Sequence, residues 1–443
     1  MAYSVGLVSL GCAKNQVDAE IMMAALQKAG YEIEDDAAQA DAVIVNTCGF
    51  IDAAKKESID EILKLAGLKA AGRIKAIIVT GCLAERYREE ILKELPEVDA
   101  VAGIGADSDI AAVVGKALEG VKLESFPEKT LLPLSGERRL STPGYFAYLK
   151  IAEGCDNRCA YCAIPFIRGR YRSRTMEDIV EEAKTLVENG AKELILIAQD
   201  TTKYGWDLYG KLMLPQLLRK LCEIDGVAWI RVLYCYPDYI TDELLETIAG
   251  EEKVVKYMDL PLQHCSGRLL KLMRRTGNRE ELTALIQKMR EKIPNLILRT
   301  TLITGFPGET DEDFTELAEF VNEIRFERLG CFPYSQEEGT AAAEMPDQID
   351  EDVKQSRMER IMEDQMRIMQ EWGEQQAGKT FRVLVEGFDE ASGFWVGRSW
   401  ADSPDIDGRI YFTAENANFE PGSFADVKIL ECVDCELYGM IAE

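Results

Sequence analysis

Cys155-Asp156-Asn157-Arg158-Cys159-Ala160-Tyr161-Cys162 places three thiols within one short segment, directly after the apolar run Phe146–Ile151. A short continuous apolar run ended by polar residues reads as a buried strand, so the thiols fall on the loop at its carboxyl end. From there to about Ser335, strand-like runs alternate with helical patterns. The strands are Leu194–Ala198, Trp229–Leu233, Tyr257–Pro261, Leu296–Ile303 and Arg328–Phe332, separated by helices such as Met176–Asn189, Asp242–Ile248, Glu280–Lys292 and Asp311–Ile324. Such alternation implies a parallel sheet. Six βα units are too few for a closed eight-stranded barrel, which predicts an α/β fold with an incomplete, open barrel and its chemistry on the loops after the strands.

Three thiolates on one loop can hold three irons of a 4Fe-4S cluster, which four cysteines normally close. No fourth cysteine lies nearby, so one iron is left for a substrate or cofactor ligand. Structural zinc wants four ligands, commonly as separated pairs. Neither a partner pair nor histidines are at hand, because the chain has a single histidine, His264.

Working back to the amino terminus, three apolar runs end alike. Val5–Leu10 ends at Gly11-Cys12, Ala42–Val45 at Asn46-Thr47-Cys48, and Ala76–Val79 at Thr80-Gly81-Cys82. Helical patterns fill the gaps, and the cysteine spacings of 36 and 34 residues each match about one βα repeat. Cys12, Cys48 and Cys82 therefore sit just past the carboxyl ends of three strands of a parallel α/β domain, the edge where open α/β sheets bind ligands. Core cysteines would lie within the strands instead.

Between these regions, Ala117–Pro143 is broken by Pro127, Pro133, Gly136 and Pro143 and reads as a linker, with Glu137-Arg138-Arg139 exposed. Residues 350–376 read as one packing helix with Val353, Met358, Ile361, Met362, Ile368, Met369 and Trp372 at helical spacing. Five short β runs then follow, at Phe381–Glu386, Phe394–Arg398, Arg409–Phe412, Ala425–Leu430 and Leu437–Ile441. They suggest a small β-barrel of the kind that binds nucleic acid or protein loops. The expected domains are 1–125, 141–375 and 377–443.

The chain carries 51 Lys and Arg against 78 Asp and Glu, a net charge of −27. This argues against a protein whose main task is gripping phosphate backbones, and it suits a basic partner. The carboxyl-terminal module holds 5 basic and 13 acidic residues, net −8. The amino terminus lacks the charged-then-apolar pattern of a secretory signal, and no stretch approaches the length needed to span a bilayer. A cytoplasmic location is expected, where 12 cysteines read as metal ligands, reactive thiols or core residues rather than disulfides.

The eight-residue motif resembles the signature of the radical S-adenosylmethionine enzymes. The likeness extends along the chain. Gly11-Cys12, Asn46-Thr47-Cys48 and Thr80-Gly81-Cys82 look like the auxiliary-cluster domain of the methylthiotransferase family. Leu260-Pro261-Leu262-Gln263 and Thr304-Gly305-Phe306-Pro307-Gly308-Glu309-Thr310 are similar to that family too, and the final module looks like its TRAM domain. Gln199-Asp200-Thr201-Thr202-Lys203-Tyr204-Gly205 and the stretch from Gly397 to Gly408 resemble the RimO branch, which methylthiolates the β-carbon of one aspartate in the small-ribosomal-subunit protein S-twelve.

The resemblance implies two 4Fe-4S clusters, one on Cys155, Cys159 and Cys162 and one on Cys12, Cys48 and Cys82, with S-adenosylmethionine as the second cofactor. It implies that Tyr161 lies beside the adenine, that the first cluster generates a radical from S-adenosylmethionine, and that the second delivers the methylthio group. The implied partners are ribosomal protein S-twelve and an electron donor of flavodoxin or ferredoxin type, with no membrane. A tRNA-directed enzyme of the MiaB type shares the first two domains. A tRNA-binding module should carry a basic face, so the acidic module disfavours tRNA. An electron carrier would usually close its cluster with four cysteines.

Other residues have two readings each. His264 ends a barrel strand and is either an active-site group or a hydrogen-bonded structural histidine. Arg168, Arg170, Arg172 and Arg174 alternate, which on an extended segment puts four guanidinium groups on one side. They would then meet a carboxylate of cofactor or target, or else form interdomain salt bridges. Cys432-Val433-Asp434-Cys435 lacks the following helix that lowers a thiol pKa, and Cys222, Cys235, Cys265 and Cys331 read as packing residues.

Overall fold

The structure, a computed structural model, describes residues 3–106, 109–129, 134–414 and 418–442. The first sheet contains β1 (Ser4–Ser9), β2 (Glu32–Glu34), β3 (Ala42–Thr47), β4 (Ala76–Gly81), β5 (Ala100–Ala102) and β6 (Leu123–Ser125), in the order β2-β1-β3-β4-β5-β6 with every pair parallel. β3 and β4 are buried from end to end because helices cover both faces. Val43, Val45, Ile77 and Val79 pack on one side with Ile62, Leu65 and Ile91, while Ala42, Ile44, Ala76 and Ile78 pack on the other with Met22, Leu26 and Val113. This strand order reverses between β1 and β3, and doubly wound sheets bind ligands at that switch point, beyond the carboxyl ends of the strands. β2, β5 and β6 have three residues each, too few to form a visible apolar run.

β6 falls inside the stretch read as a linker, whose residues 130–133, Pro133 among them, lie outside the described residues. Arg138 is not exposed as expected. Its guanidinium is buried and bonds Glu20 at 2.6 Å, Glu182 at 2.6 Å and the carbonyl of Tyr148 at 2.7 Å, pinning the connection between two domains.

The second region begins with β7 (Phe146–Lys150) and a short hairpin of β8 (Ala152–Glu153) and β9 (Arg172–Ser173). It continues with β10 (Glu193–Ile197), β11 (Trp229–Val232), β12 (Val254–Asp259), β13 (Ile297–Thr304) and β14 (Arg328–Pro333). Its sheet runs β14-β13-β12-β11-β10-β7, all parallel, with β7 and β14 left as edges. This is the open six-stranded barrel. β12 begins three residues before the expected strand because Lys256 interrupts the apolar run; its ammonium is held by the carbonyls of Ile248, Glu251 and Val254. Helix Glu351–Glu374 packs Ile361 and Ile368 into the barrel's outer core.

The third region closes β15 (Thr380–Asp389), β16 (Phe394–Arg398), β17 (Ile410–Thr413), β18 (Phe424–Val433) and β19 (Glu436–Ile441) into a barrel, β15-β16-β17-β19-β18. Its loop after β16 seats on the amino-terminal end of the open barrel. Arg398 pairs with Glu193 (2.9 Å), Asp402 with Arg328 (2.7 Å), and Asp407 accepts from the Tyr257 hydroxyl (2.6 Å). Of the Gly397–Gly408 stretch that resembles the RimO branch, Gly397–Ser399 and Ala401–Pro404 are buried at this domain joint, while Asp405 and Ile406 stay exposed. No helix among the described residues is long and apolar enough to cross a membrane.

Candidate iron–sulfur sites

Cys12, Cys48 and Cys82 follow β1, β3 and β4, so the parallel register sets them side by side. Two glycines allow the approach. Gly11 has φ +92°, and a Cβ there would lie 2.7 Å from Cβ of Cys48; Gly81, also at φ +92°, would put one 2.4 Å from the carbonyl oxygen of Thr47. Gly81→Ala should therefore cost about 2 kcal/mol or more in urea unfolding and lower iron retention. An unchanged midpoint would contradict the close approach.

Asn15, in the first turn of helix Ala13–Lys28, is the hub. Its Nδ2 donates to the carbonyls of Leu10 (3.0 Å) and Thr47 (2.9 Å), and its Oδ1 lies 3.6 Å from Sγ of Cys82. It thereby ties the ends of β1, β3 and β4 together. Two buried cations stand by. Lys14 donates to the carbonyl of Ala198 (3.3 Å) above the ring of Tyr234 (3.3 Å to its centroid). Arg168 reaches Sγ of Cys82 at 3.8 Å. Burial opposes ionisation of the Cys12 thiol, but Lys14, Arg168 and local N–H donors outweigh it and hold its pKa below the usual thiol value. Burial pushes Cys82 up to about 12.

The second triad lies on the loop after β8. Its turn is fixed by hydrogen bonds from Cys155 N–H to the Gly169 carbonyl (3.1 Å), Ala160 N–H to Met273 (2.9 Å) and Cys162 N–H to Cys159 (3.1 Å), with Arg158 in the left-handed region at φ 52°. The loop after β10 supports it. Asp200 accepts from Nδ2 of Asn157 (3.0 Å), the Thr202 hydroxyl (2.7 Å) and the Lys203 N–H (3.2 Å). All three cysteines line a cavity of about 620 Å³ with Arg158, Phe166 and Arg170, within the size range of cofactor pockets. Burial pushes Cys155 up to about 11.

Arg275 was not singled out in the sequence. It lies 3.9 Å from Sγ of Cys159 and 3.4 Å from the Tyr161 hydroxyl, over the Tyr236 ring. No spacing rule pointed to it, because it arrives from the segment after helix Gly267–Leu272. Tyr161 is tied to this arginine and is not among the side chains lining the cavity.

Both triads suit iron–sulfur clusters. They offer soft sulfur donors, and cations beside them balance thiolate charge. Among the described residues no three His, Cys, Asp or Glu side chains gather tightly enough for a single ion. A cluster is held at separate iron corners and does not require its ligands to meet at a point. The two sites share a joint: Ala163, next to Cys162, packs with Ile167 against Cys82.

The remaining candidates are spent on structure. Arg168 does not face a free carboxylate. Its side chain is 1% exposed, bonded to Glu153 (3.0 Å) of its own domain and to Asp18 (3.0 Å) across the joint, which is the interdomain salt-bridge reading. The four arginines do not share a side, because helix Ile164–Arg168 and Gly169 at φ +77° break the extended path. Arg170 pairs with Asp156 (2.7 Å), and Arg174 with Asp178 (2.7 Å) and Glu182 (2.5 Å). His264 is buried and its Nδ1 accepts from Ser266 N–H at 3.0 Å, the structural reading.

Burial lowers the His264 pKa to about 3. As the only histidine it can be followed without assignment, and its NMR signals should not titrate between pH 8 and pH 5; a midpoint near 6.5 would contradict the burial. The neutral imidazole in the folded state and the protonated one in the unfolded chain mean that stability contributed here is lost as pH falls below about 6.5. Cys432, near the end of β18, and Cys435, in the β18–β19 turn, are held by Gln370, with burial raising both thiol pKa values. Cys235, Cys265 and Cys331 are buried and Cys222 half-buried.

Residues 4–103 match the Uncharacterized protein family UPF0004, residues 149–321 the Radical SAM superfamily and residues 377–441 the TRAM domain. An open six-stranded barrel with a three-cysteine loop, matched in this way, makes the chain a radical S-adenosylmethionine enzyme. It is 51% identical over 433 residues, 98% of each chain, to the ribosomal protein uS12 methylthiotransferase RimO of Lachnoclostridium phytofermentans. It is 49% identical over 443 residues, 99% of this chain and 100% of the other, to the protein of the same name from Desulforamulus reducens. The chain belongs to the ribosomal protein uS12 methylthiotransferase RimO family. Among solved structures, the radical S-adenosylmethionine methyltransferase TsrM of Kitasatospora setae, with cobalamin and a [4Fe-4S] cluster bound, covers 75% of each chain at a TM-score of 0.57 and 15% identity, and shares the fold alone.

Proposed function

We propose that this chain places a methylthio group on the β-carbon of an aspartate of ribosomal protein uS12. The observation that carries the reading is the pair of cysteine triads, on two different domains, packed into one joint through Cys82, Ala163 and Arg168. Cys155, Cys159 and Cys162 hold one 4Fe-4S cluster, and Cys12, Cys48 and Cys82 hold the other. When bound, the clusters and S-adenosylmethionine supply one-electron chemistry able to break an unactivated C–H bond, together with the sulfur and methyl group to be transferred. The protein's part is placement. The Asp200 loop and Arg275 orient the second triad, Asn15 aligns the first, and the Arg86–Glu337 (2.7 Å) and Lys55–Glu337 (3.0 Å) pairs tie the first domain to the loop after β14. Tyr161 lies beside the adenine through its backbone, its hydroxyl being held by Arg275 away from the cavity lining.

The module boundaries are 1–125, 141–375 and 377–443. The electron donor is of flavodoxin or ferredoxin type, and the setting is the cytoplasm. A basic protein substrate rather than tRNA is supported by the surface of the last module. Glu386, Asp402 and Asp407 are consumed in the joint along with Arg398. Among the described residues, Glu390, Asp405, Glu420, Asp426, Glu431 and Asp434 are exposed against Lys379, Arg382, Arg409 and Lys428, so their outer face stays acidic. Mass spectrometry of uS12 and of tRNA from cells with and without the gene tests this. Loss of a methylthio mass from uS12 is expected, and its loss from tRNA instead would overturn the substrate.

A further inference from the structure

The buried joint between the two triads carries more than adhesion. Lys150 bonds Asp18 (2.6 Å) and Glu153 (3.0 Å), and Gln199 donates to Glu153 (3.0 Å). Arg168 bonds Glu153 through Nη1 and Asp18 through Nη2. Two cations and two carboxylates thus neutralise one another with almost no solvent contact, and removing one partner of such a group is costly. Yet Arg168 has a further pair of contacts that salt bridging does not require. Its Nη2 donates to Oδ1 of Asn15 at 2.6 Å and points at Sγ of Cys82 at 3.8 Å. Asn15 is the residue that gathers the first triad, and its Oδ1, occupied by Arg168, is itself 3.6 Å from the same sulfur. Arg168 comes from the helix directly behind the second triad. One guanidinium therefore belongs by chain to one cluster loop and by contact to a ligand of the other.

We propose that Arg168 is a positioning residue for the first-triad cluster: a donor from the radical domain to the Cys82 thiolate that raises the cluster's reduction potential. This rests on the reading that Cys12, Cys48 and Cys82 hold a 4Fe-4S cluster. Hydrogen bonds to ligand sulfur, nearby charge and exclusion of solvent set the potential of such clusters. A buried cation that donates to a thiolate favours the electron-richer, reduced state. The first domain alone lacks this donor, so its cluster reaches its working potential only when the open barrel is docked on it.

The test uses the full chain with Cys155, Cys159 and Cys162 all replaced by Ala, reconstituted anaerobically so that a single cluster remains. Its midpoint is read by dye-mediated titration followed by electron paramagnetic resonance. Arg168→Gln should shift the reduction equilibrium at least tenfold against the reduced cluster, which for one electron is 59 mV downward. Arg168→Lys, which keeps the charge and one donor, should fall between the two. Asp18→Asn loosens the same joint while sparing the donor and removing a negative charge, so its midpoint should hold or rise. If Arg168→Gln fails to load iron, the Lys variant carries the test and must lie below the parent. Equal midpoints in parent and Arg168 variants overturn the proposal, as does a downward shift shared by Asp18→Asn, which would make joint loosening the cause. If the parent loads no cluster, the reading of the first triad fails, and the proposal with it.

Discussion

Replacing any one of Cys155, Cys159 or Cys162 with Ala is expected to reduce S-adenosylmethionine cleavage by roughly 10³-fold or more. Each single replacement should cost nearly as much as all three, because groups that act as a unit are grossly non-additive. The geometry gives the reason. The three thiols share one loop whose turn is fixed by the Gly169, Met273 and Cys159 carbonyls and by Asp200 on Asn157, and the loop offers no fourth sulfur to replace a lost one. Arg275 and the Tyr236 hydroxyl, 4.0 Å from Cys159, are a cation and a phenol, and the carboxylates that line the cavity, Asp156 and Glu344, are hard oxygen donors rather than soft sulfur ones. Iron per chain should fall from about eight to about four. The release of methionine and 5′-deoxyadenosine, measured by chromatography in reduced reaction mixtures, checks the result; cleavage retained within tenfold would refute the assignment.

Replacing Cys12, Cys48 or Cys82 with Ala should have the complementary effect. Cleavage should remain within a few-fold of the parent, while methylthio insertion into uS12 falls below detection. The separation is expected because the turn that holds the second triad draws its hydrogen bonds from its own barrel domain, at Gly169, Met273 and Asp200. Cys82 is the exception to watch. It packs on Ala163 and Ile167 and receives Arg168, so its loss opens a small void at the joint. Its replacement should lower the melting temperature as well, whereas those at half-buried Cys12 and Cys48 should do so less. Insertion that survives in all three variants would remove the first triad from the reaction.

Much of this was visible in one dimension. β3, β4, β7 and β10 announce themselves as nearly continuous apolar runs, because a parallel strand covered by helices is buried on both faces. The short strands β2, β5 and β6 did not, since three residues carry no periodicity, and Lys256 hid the start of β12. The cysteine triads were legible as candidates because a ligand set needs particular residue types at particular ends of particular strands. The arginines were not. A guanidinium has the same letter whether it faces a carboxylate of a ligand or a carboxylate of the protein, so for Arg168 and Arg174 the sequence leaves both readings open.

The sequence by itself determined the three-part architecture and the placing of three cysteines at strand ends and three on one loop, since local periodicity and strand-end spacing are properties of consecutive residues. Only the tertiary structure decided what lies between them. It brought Arg168 and Asn15, 153 residues apart, within hydrogen-bond distance over Cys82, set Arg275 beside Cys159, and turned the acidic loop after β16 inward onto Glu193, Arg328 and Tyr257. Those choices rest on desolvation. A charge buried by the meeting of two domains must find its partner there, and which domain supplies that partner is not written in the spacing of either.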